Sequence, residues 1–366
     1  MLVEAVVSAQ QPVFRAGAQT VSVYATVRDR DGHLVPGLTK ADFQVLDDGR
    51  PATITTFAND VLPATLALLL DMSSSMTGEH LRVRDSALQF VNALLPDDRV
   101  RIGTFGDEVA LSPWLTSDKA ILGRVLREEV WPGGSTPLWS AMRAGMASIA
   151  SEPGRRVVLA LSDGIDTGCP RLIGGEPEPP PVSSSLREPL AALAATAGKP
   201  DSSARRLSAV AAPIGAIGAG GRRSLAVRSD LRSSSSGHAS VVRTTPARFA
   251  QSTTIRQPAV RCGTFAEVEK LALDAEFLIY AIGMEGPGLT GGLVKLANDS
   301  GGGHFELKRN EDLAAAFHDV AEELHHQYAV GFTPVALDGR IHPLEVRLAT
   351  AGLTARARKS YVAVDR

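Results

Sequence analysis

The chain has 366 residues, an apolar content of 44% and a formal net charge of −2. Its length exceeds that of one ordinary domain, and this apolar share is ample for a sizeable core, so two domains are expected. A near-neutral balance gives no general electrostatic case for nucleic-acid or membrane-surface binding, and no apolar run reaches membrane-spanning length.

The opening residues, MLVEAVVSAQQPVF, place Val7-Ser8-Ala9 before Gln10 in the manner of the small-residue end of a secretory cleavage site. The basic and apolar regions that should precede such a site are short or missing. Residues 1–17 are therefore read as the remnant of an exported protein's start, its signal peptide truncated or misassigned, with an ordinary terminus as the alternative. Export to the periplasm or the extracellular space is the expected localisation.

From 18 to 60 the pattern is extended. Val21, Val23, Ala25 and Val27 alternate with polar residues, the period of a half-buried strand. Turns are expected at Asp29-Arg30-Asp31-Gly32 and Pro36-Gly37. Phe43 to Leu46 then runs into Asp47-Asp48-Gly49, a hairpin signal, with Ile54 to Phe57 as the return strand.

From 64 onward strands and helices alternate. Leu66 to Leu70 is an aliphatic run of the kind buried on both faces of a sheet, and it ends in Asp71, with Ser73 and Ser75 following in a short loop. Helix is expected from Glu79 to Leu95, strand from Val100 to Phe105, and a short antiparallel neighbour from Glu108 to Leu111. A helix from about Ser117 to Glu129 comes next. The loop Pro132-Gly133-Gly134-Ser135-Thr136-Pro137 then opens a further helix, and Arg155 to Leu161 is another buried strand, ending in Ser162-Asp163-Gly164.

In open α/β sheets ligands bind beyond the carboxyl ends of the strands. One carboxylate and two hydroxyls at alternate positions offer oxygen only, which suits a hard cation such as Mg²⁺. The bland reading of each piece is structural: Asp71 as a helix cap, Thr136 as another, Asp163 as a turn former.

Taken in order, Asp71-x-Ser73-x-Ser75, Thr136 in GGSTPLWSA and Asp163 in ALSDGIDTG resemble the metal-ion-dependent adhesion site of von Willebrand factor type A domains. The resemblance implies a mostly parallel sheet with helices on both faces. It also implies that Ser73, Ser75 and Thr136 offer oxygens to Mg²⁺ (or Mn²⁺ or Ca²⁺), with Asp71 and Asp163 coordinating directly or through water. One position would stay open for a carboxylate from a partner protein. Ser135 stands beside Thr136, so that assignment can slip by one. Asp166 is either a further metal residue or a solvated turn residue.

Composition changes after Gly168. Between Pro170 and Arg261 thirteen Lys or Arg stand against five Asp or Glu, with one aromatic, Phe249. Such a segment buries too little apolar surface to offset its ordering entropy, so residues 169–262 are read as a disordered basic insertion. As a nucleic-acid or polyanion arm it lacks interleaved aromatics. The only cysteines, Cys169 and Cys262, flank it. The type A resemblance implies that its two ends emerge close together, which in an exported protein favours a disulfide there.

The α/β pattern then resumes with helix from Thr264 to Asp274, strand to Ile282, helix from Leu289 to Ala297, an edge strand around Gly303 to Glu306 and a last helix from Glu311 to His325. Extended segments follow at Tyr328 to Phe332, His342 to Leu348, Thr354 to Ala357 and Tyr361 to Val364. Glu323-Leu324-His325-His326-Gln327-Tyr328-Ala329-Val330-Gly331-Phe332-Thr333-Pro334, Ala357-Arg358-Lys359-Ser360-Tyr361 and the run from Pro36 to Gly49 resemble a bacterial VWFA-related family in which a β segment precedes the type A domain. His304, His318, His325, His326 and His342 are read as surface or packing residues rather than a transition-metal site.

The expected architecture is thus a type A domain over 64–326, interrupted by the insertion. The β segments 18–60 and 327–366 join into one sandwich, since neither has strands enough to be stable alone. The expected function is metal-dependent protein binding without catalysis, the cation capturing an acidic side chain of a partner. The alternatives are a structural scaffold with an empty site and a metal-assisted hydrolase. Against the hydrolase, no His or Glu in the metal loops can serve as general base, and no GxSxG motif occurs.

Overall fold

The computed structural model describes residues 20–60, 62–128, 133–164, 166–168, 262–286 and 288–364. The N-terminal segment supplies β1 (Val21–Arg28), β2 (Phe43–Asp47), β3 (Arg50–Ala52) and β4 (Ile54–Ala58). Then come β5 (Ala64–Asp71), α1 (His80–Ala93), β6 (Arg99–Phe105), β7 (Val109–Leu111), α2 (Lys119–Glu128), α3 (Leu138–Ile149) and β8 (Arg155–Ser162). After the insertion follow α4 (Phe265–Asp274), β9 (Leu278–Gly283), α5 (Gly291–Ser300), β10 (Gly303–Glu306) and α6 (Leu313–His325). The chain closes with β11 (Tyr328–Phe332), β12 (Ile341–Leu348), β13 (Thr354–Arg356) and β14 (Ser360–Val362).

Six strands form the central sheet in the order β10-β9-β8-β5-β6-β7, parallel except for β7, which runs antiparallel to β6. Every residue of β5 is buried, as its aliphatic run requires of a strand covered on both faces. Its even-numbered residues Leu66, Leu68 and Leu70 pack with Phe90 of α1, Leu122 of α2 and Phe317 of α6. Its odd-numbered Ala67 and Leu69 face Met142 of α3, Val268 of α4 and Leu293 of α5. The period of two in the strand thus divides one run of leucines between two cores.

The N- and C-terminal segments interleave into two antiparallel sheets, β13-β1-β11-β4 and β14-β12-β2-β3, around a third core that includes Val23, Val45, Tyr328, Phe332 and Tyr361. Neither segment makes a sheet alone: β1 from one end of the chain lies between β11 and β13 from the other. One expectation is corrected. The strand returning from the Asp47-Asp48-Gly49 turn is β3, paired Asp47 to Arg50, whereas β4 crosses to the other sheet and pairs with β11. Pro51 argues against a central strand, but β3 is an edge, where proline is tolerated.

The sequence motifs near the C-terminus join the sandwich to the α/β part. Glu323 near the end of α6 is fully buried and bonds Arg28 of β1 and Arg356 of β13. The Gln327 amide donates to Thr26 Oγ1 at 3.2 Å and Tyr280 Oη at 3.1 Å, and its carbonyl accepts from Arg155 at 3.0 Å. Cys262 is disulfide-bonded. Its expected pairing with Cys169, the insertion 169–261 and the N-terminal remnant 1–17 lie outside the described residues.

Candidate functional site

Asp71 is the last residue of β5 and has no exposed surface, so it belongs to the strand end and not to a solvated loop. Its Oδ1 accepts the Ser73 amide at 2.9 Å, and its Oδ2 accepts the Ser162 hydroxyl at 2.7 Å. The second contact comes from strand order: β8 lies beside β5 in parallel register, Leu70 opposite Leu161, so Ser162 stands level with Asp71. Asp71 caps no helix, since α1 starts only at His80. Burial raises the Asp71 carboxyl above its ordinary pKa and the Asp163 carboxylate adds to the rise, while the Ser73 and Ser162 hydrogen bonds oppose it.

Beyond Asp71 the chain makes a short 3₁₀ turn, Ser74–Met76. Ser73 is buried and Ser75 exposed, with their hydroxyl oxygens 3.0 Å apart. This turn is stitched to the glycine loop before α3. The Ser74 amide donates to Gly134 O at 3.0 Å, the Gly134 amide to Ser74 Oγ at 3.0 Å, and the Gly133 amide to Met72 O at 2.6 Å. Gly106, after β6, completes the contact: a Cβ there would lie 2.2 Å from Gly133 O.

These bonds carry Thr136, 4% exposed, to the same sheet edge as the serines. Thr136 is fixed from the other side by Thr167, whose hydroxyl accepts the Thr136 amide at 2.7 Å and whose amide donates to Thr136 O at 3.0 Å. Asp166 Oδ1 accepts the Leu138 amide at 3.0 Å, so this side chain satisfies the first turn of α3 rather than solvent. Asp163 is partly buried directly after β8. Gly164 follows at φ +89, and a Cβ there would lie 1.8 Å from Gly288 O, so only glycine fits this turn.

Of the five expected residues, Asp71 therefore ends β5, and Ser73, Ser75, Thr136 and Asp163 sit on three loops at the same end of the sheet. Ser135 is also there, its hydroxyl oxygen buried and without a hydrogen-bond partner. Ser162 and Thr167 were not anticipated, because nothing local marks them. Their contacts depend on which strand lies next to which. The histidines are dispersed: His325 Nε2 lies 3.4 Å from Asp98 Oδ2, His326 bonds the carbonyl of Glu322, and His342 belongs to the sandwich.

A parallel sheet covered by helices on both faces, with an aspartate, spaced hydroxyls and a second aspartate on the loops past its strand ends, defines a von Willebrand factor type A fold. The family model described as von Willebrand factor type A domain matches residues 66–165, and this part of the chain is such a domain.

Among solved structures, the chain is similar to the vWF domain of the type V pili tip protein Mfa5 from Porphyromonas gingivalis. The identity is 16%, the alignment covers 72% of this chain and 95% of that one, and the TM-score is 0.40. It is similar to the von Willebrand factor type A protein from Catenulispora acidiphila at 10% identity, over 97% and 76% of the two chains, with a TM-score of 0.41. Proximal thread matrix protein 1 from the mussel byssus matches at 13% identity over 83% of this chain, with a TM-score of 0.40. The match takes in 50% of the mussel protein's own length. No curated protein matches the chain.

Proposed function

We propose that this face holds a divalent cation, Mg²⁺ or a close substitute, through Asp71, Ser73, Ser75, Thr136 and Asp163, and that the cation binds a carboxylate of a partner protein. The observation that carries the reading is the state of Asp71. It is a fully buried carboxylate whose hydrogen bonds come from neutral groups, and the charge acting on it is a second carboxylate, Asp163. A carboxylate desolvated at a strand end is disfavoured in its charged form unless an opposing charge joins it.

The donor set fits a small hard cation: carboxylates and hydroxyls, without the sulfur or imidazole that softer metals prefer. The buried, unpartnered hydroxyl of Ser135 adds an oxygen donor on the same loop. A bound cation would supply a positive charge and an acceptor position for an anionic side chain. The chain's own residues would hold it at the sheet edge, Ser162 orienting Asp71 and Thr167 orienting the Thr136 loop. A disulfide at Cys262 suits an exported protein, and no described helix is long and apolar enough to cross a membrane.

Titration calorimetry with Mn²⁺ and Mg²⁺ on the wild type and on Asp71→Asn tests the site. The wild type is expected to bind and the variant to lose binding, with its far-UV spectrum unchanged. Equal affinity in both refutes the assignment, and no heat in the wild type favours a purely structural module. Partner capture that survives a chelator would separate protein binding from the metal.

A further inference from the structure

From Phe332 to Ile341 the chain crosses from one sheet of the sandwich to the other, and a buried imidazole fastens that crossover. His342, the second residue of β12, is 7% exposed. Its Nδ1 lies 3.0 Å from Asp47 Oδ1 and its Nε2 lies 3.1 Å from Asp338 Oδ1. Asp47, at the end of β2 and fully buried, also accepts the Tyr361 hydroxyl at 2.9 Å and the Val335 amide at 2.7 Å. Asp338 accepts the Arg340 amide at 3.0 Å and pairs with the Arg340 guanidinium. Val335 is thus tied to β2 directly and Asp338 through the ring, while beyond Asp338 the Gly339 amide donates to Ala363 O at 2.8 Å and the Ala363 amide to Arg340 O at 2.9 Å.

The two carboxylates can only accept. A doubly protonated ring donates from both nitrogens and satisfies both, while a neutral ring donates from one and turns a lone pair toward the other carboxylate. We propose that His342, held between Asp47 and Asp338, is a pH-sensitive latch: charged, it fastens residues 333–340 to β2, and neutral, it releases the Asp338 side of that crossover.

The charged and titratable groups around the ring are Asp47 at the end of β2, Asp48 in the turn after it, Tyr361 from β14, and Asp338 and Arg340 from the crossover itself. Burial alone would lower the imidazole pKa, but the Asp47 and Asp338 carboxylates reverse this, and the net direction is upward. Asp338 is held well below the usual carboxylate range by the Arg340 guanidinium and amide, so it stays ionised through mildly acidic pH. With the folded pKa raised, the latch contributes fully below the ordinary histidine value of about 6.5 and is lost as pH rises through the folded value.

Release has a surface consequence. The crossover carries Val335 and Leu337, each 46% exposed, and leads into Ile341, 60% exposed. Gly339 and Ile341 also line one side of a groove of about 620 Å³, opposite Leu273 of α4 and Leu296 of α5. The latch therefore sets the pH at which this apolar surface is ordered.

Amide hydrogen exchange across 333–341, corrected for intrinsic rates and followed from about pH 6 to about pH 9, tests the proposal together with NMR titration of the His342 ring. Protection is expected to fall about tenfold through the ring's own transition, the difference between a charged and a neutral hydrogen bond. In His342→Gln protection should be low throughout, and in Asp338→Asn the transition should move to lower pH. Protection that ignores pH in the wild type, or a transition that survives in His342→Gln, overturns the latch. If His342→Gln does not fold, an unchanged midpoint in Asp338→Asn overturns it instead.

Discussion

Replacing Glu323 by Gln probes the joint between the sandwich and the type A domain. The carboxylate is fully buried, with one oxygen 2.5 Å from the Arg28 guanidinium and the other bonded to Arg356. Gln keeps the volume but removes the charge, leaving two guanidinium groups facing each other. Removing one partner of a fully buried ion pair costs about 3–5 kcal/mol. Here the arginine side chains are 32% and 31% exposed, so water screens part of the loss, and about 2–3 kcal/mol is expected. For a folded body of about 150–250 residues that corresponds to a melting temperature lower by about 4–12 °C. Differential scanning calorimetry reads it directly. Because the contact spans both parts, the wild type should melt in one transition and the variant should bring forward the sandwich and the α/β part together. A shift within about 1 °C, well under the 2–4 °C expected per kcal/mol, or two separate transitions in the wild type, would refute the reasoning.

Three further outcomes are expected. Ser162→Ala removes the hydroxyl that orients Asp71, so Mn²⁺ affinity by calorimetry should fall about 10–100-fold, together with a loss of stability of about 1–3 kcal/mol because Asp71 Oδ2 and the Gly164 amide both lose a buried partner. Gly164→Ala must place a Cβ against Gly288 O, so urea unfolding should show a loss of about 1–3 kcal/mol, together with weaker Mn²⁺ binding through displacement of Asp163. Alkylation of the oxidised protein without reduction should leave Cys169 and Cys262 unmodified in the mass spectrum, and two alkylated cysteines would rule out the pairing.

Much of this molecule was legible because its strongest signals are local. A leucine run ending in Asp71 can only be a strand buried on both faces, and Tyr328 to Phe332 carries its pattern undisturbed into β11. The loops bearing Ser73, Ser75, Thr136 and Asp163 announce themselves by glycine, serine and aspartate at strand ends. What was not legible is pairing. The return from Asp47-Asp48-Gly49 was assigned to Ile54 to Phe57 because those residues have the better strand composition, yet the turn geometry gives the partner role to Arg50–Ala52. For Asp166 the sequence leaves a metal role and a solvated turn both open, because its use, on the amide of Leu138, lies 28 residues back along the chain. Ser162 is not marked as the partner of Asp71 because it lies on a strand 91 positions later.

The two ends of the α/β sheet are given different tasks by the same packing logic. Arg155 at the start of β8 bonds the carbonyls of Leu62 and Leu324, Asp98 ahead of β6 accepts the amide of Ala64, and Glu323 closes α6 onto β1 and β13. All of these lie toward the amino ends of the strands, where the sandwich is attached: carbonyl oxygens accept from Arg155, an amide donates to Asp98, and two arginines meet Glu323. At the carboxyl ends the arrangement reverses. The pairing of β5 with β8 brings Asp71 and Asp163 near each other, and Asp71 is hydrogen-bonded by Ser73 and Ser162 rather than by arginine. On the proposed function, a cation would answer the buried Asp71 carboxylate at that end of the sheet. If Asp71→Asn were to raise stability in metal-free buffer while abolishing Mn²⁺ binding, the repulsion at that edge would be measured directly. A variant less stable than the wild type without metal would mean that the hydrogen bonds to Ser73 and Ser162 outweigh it.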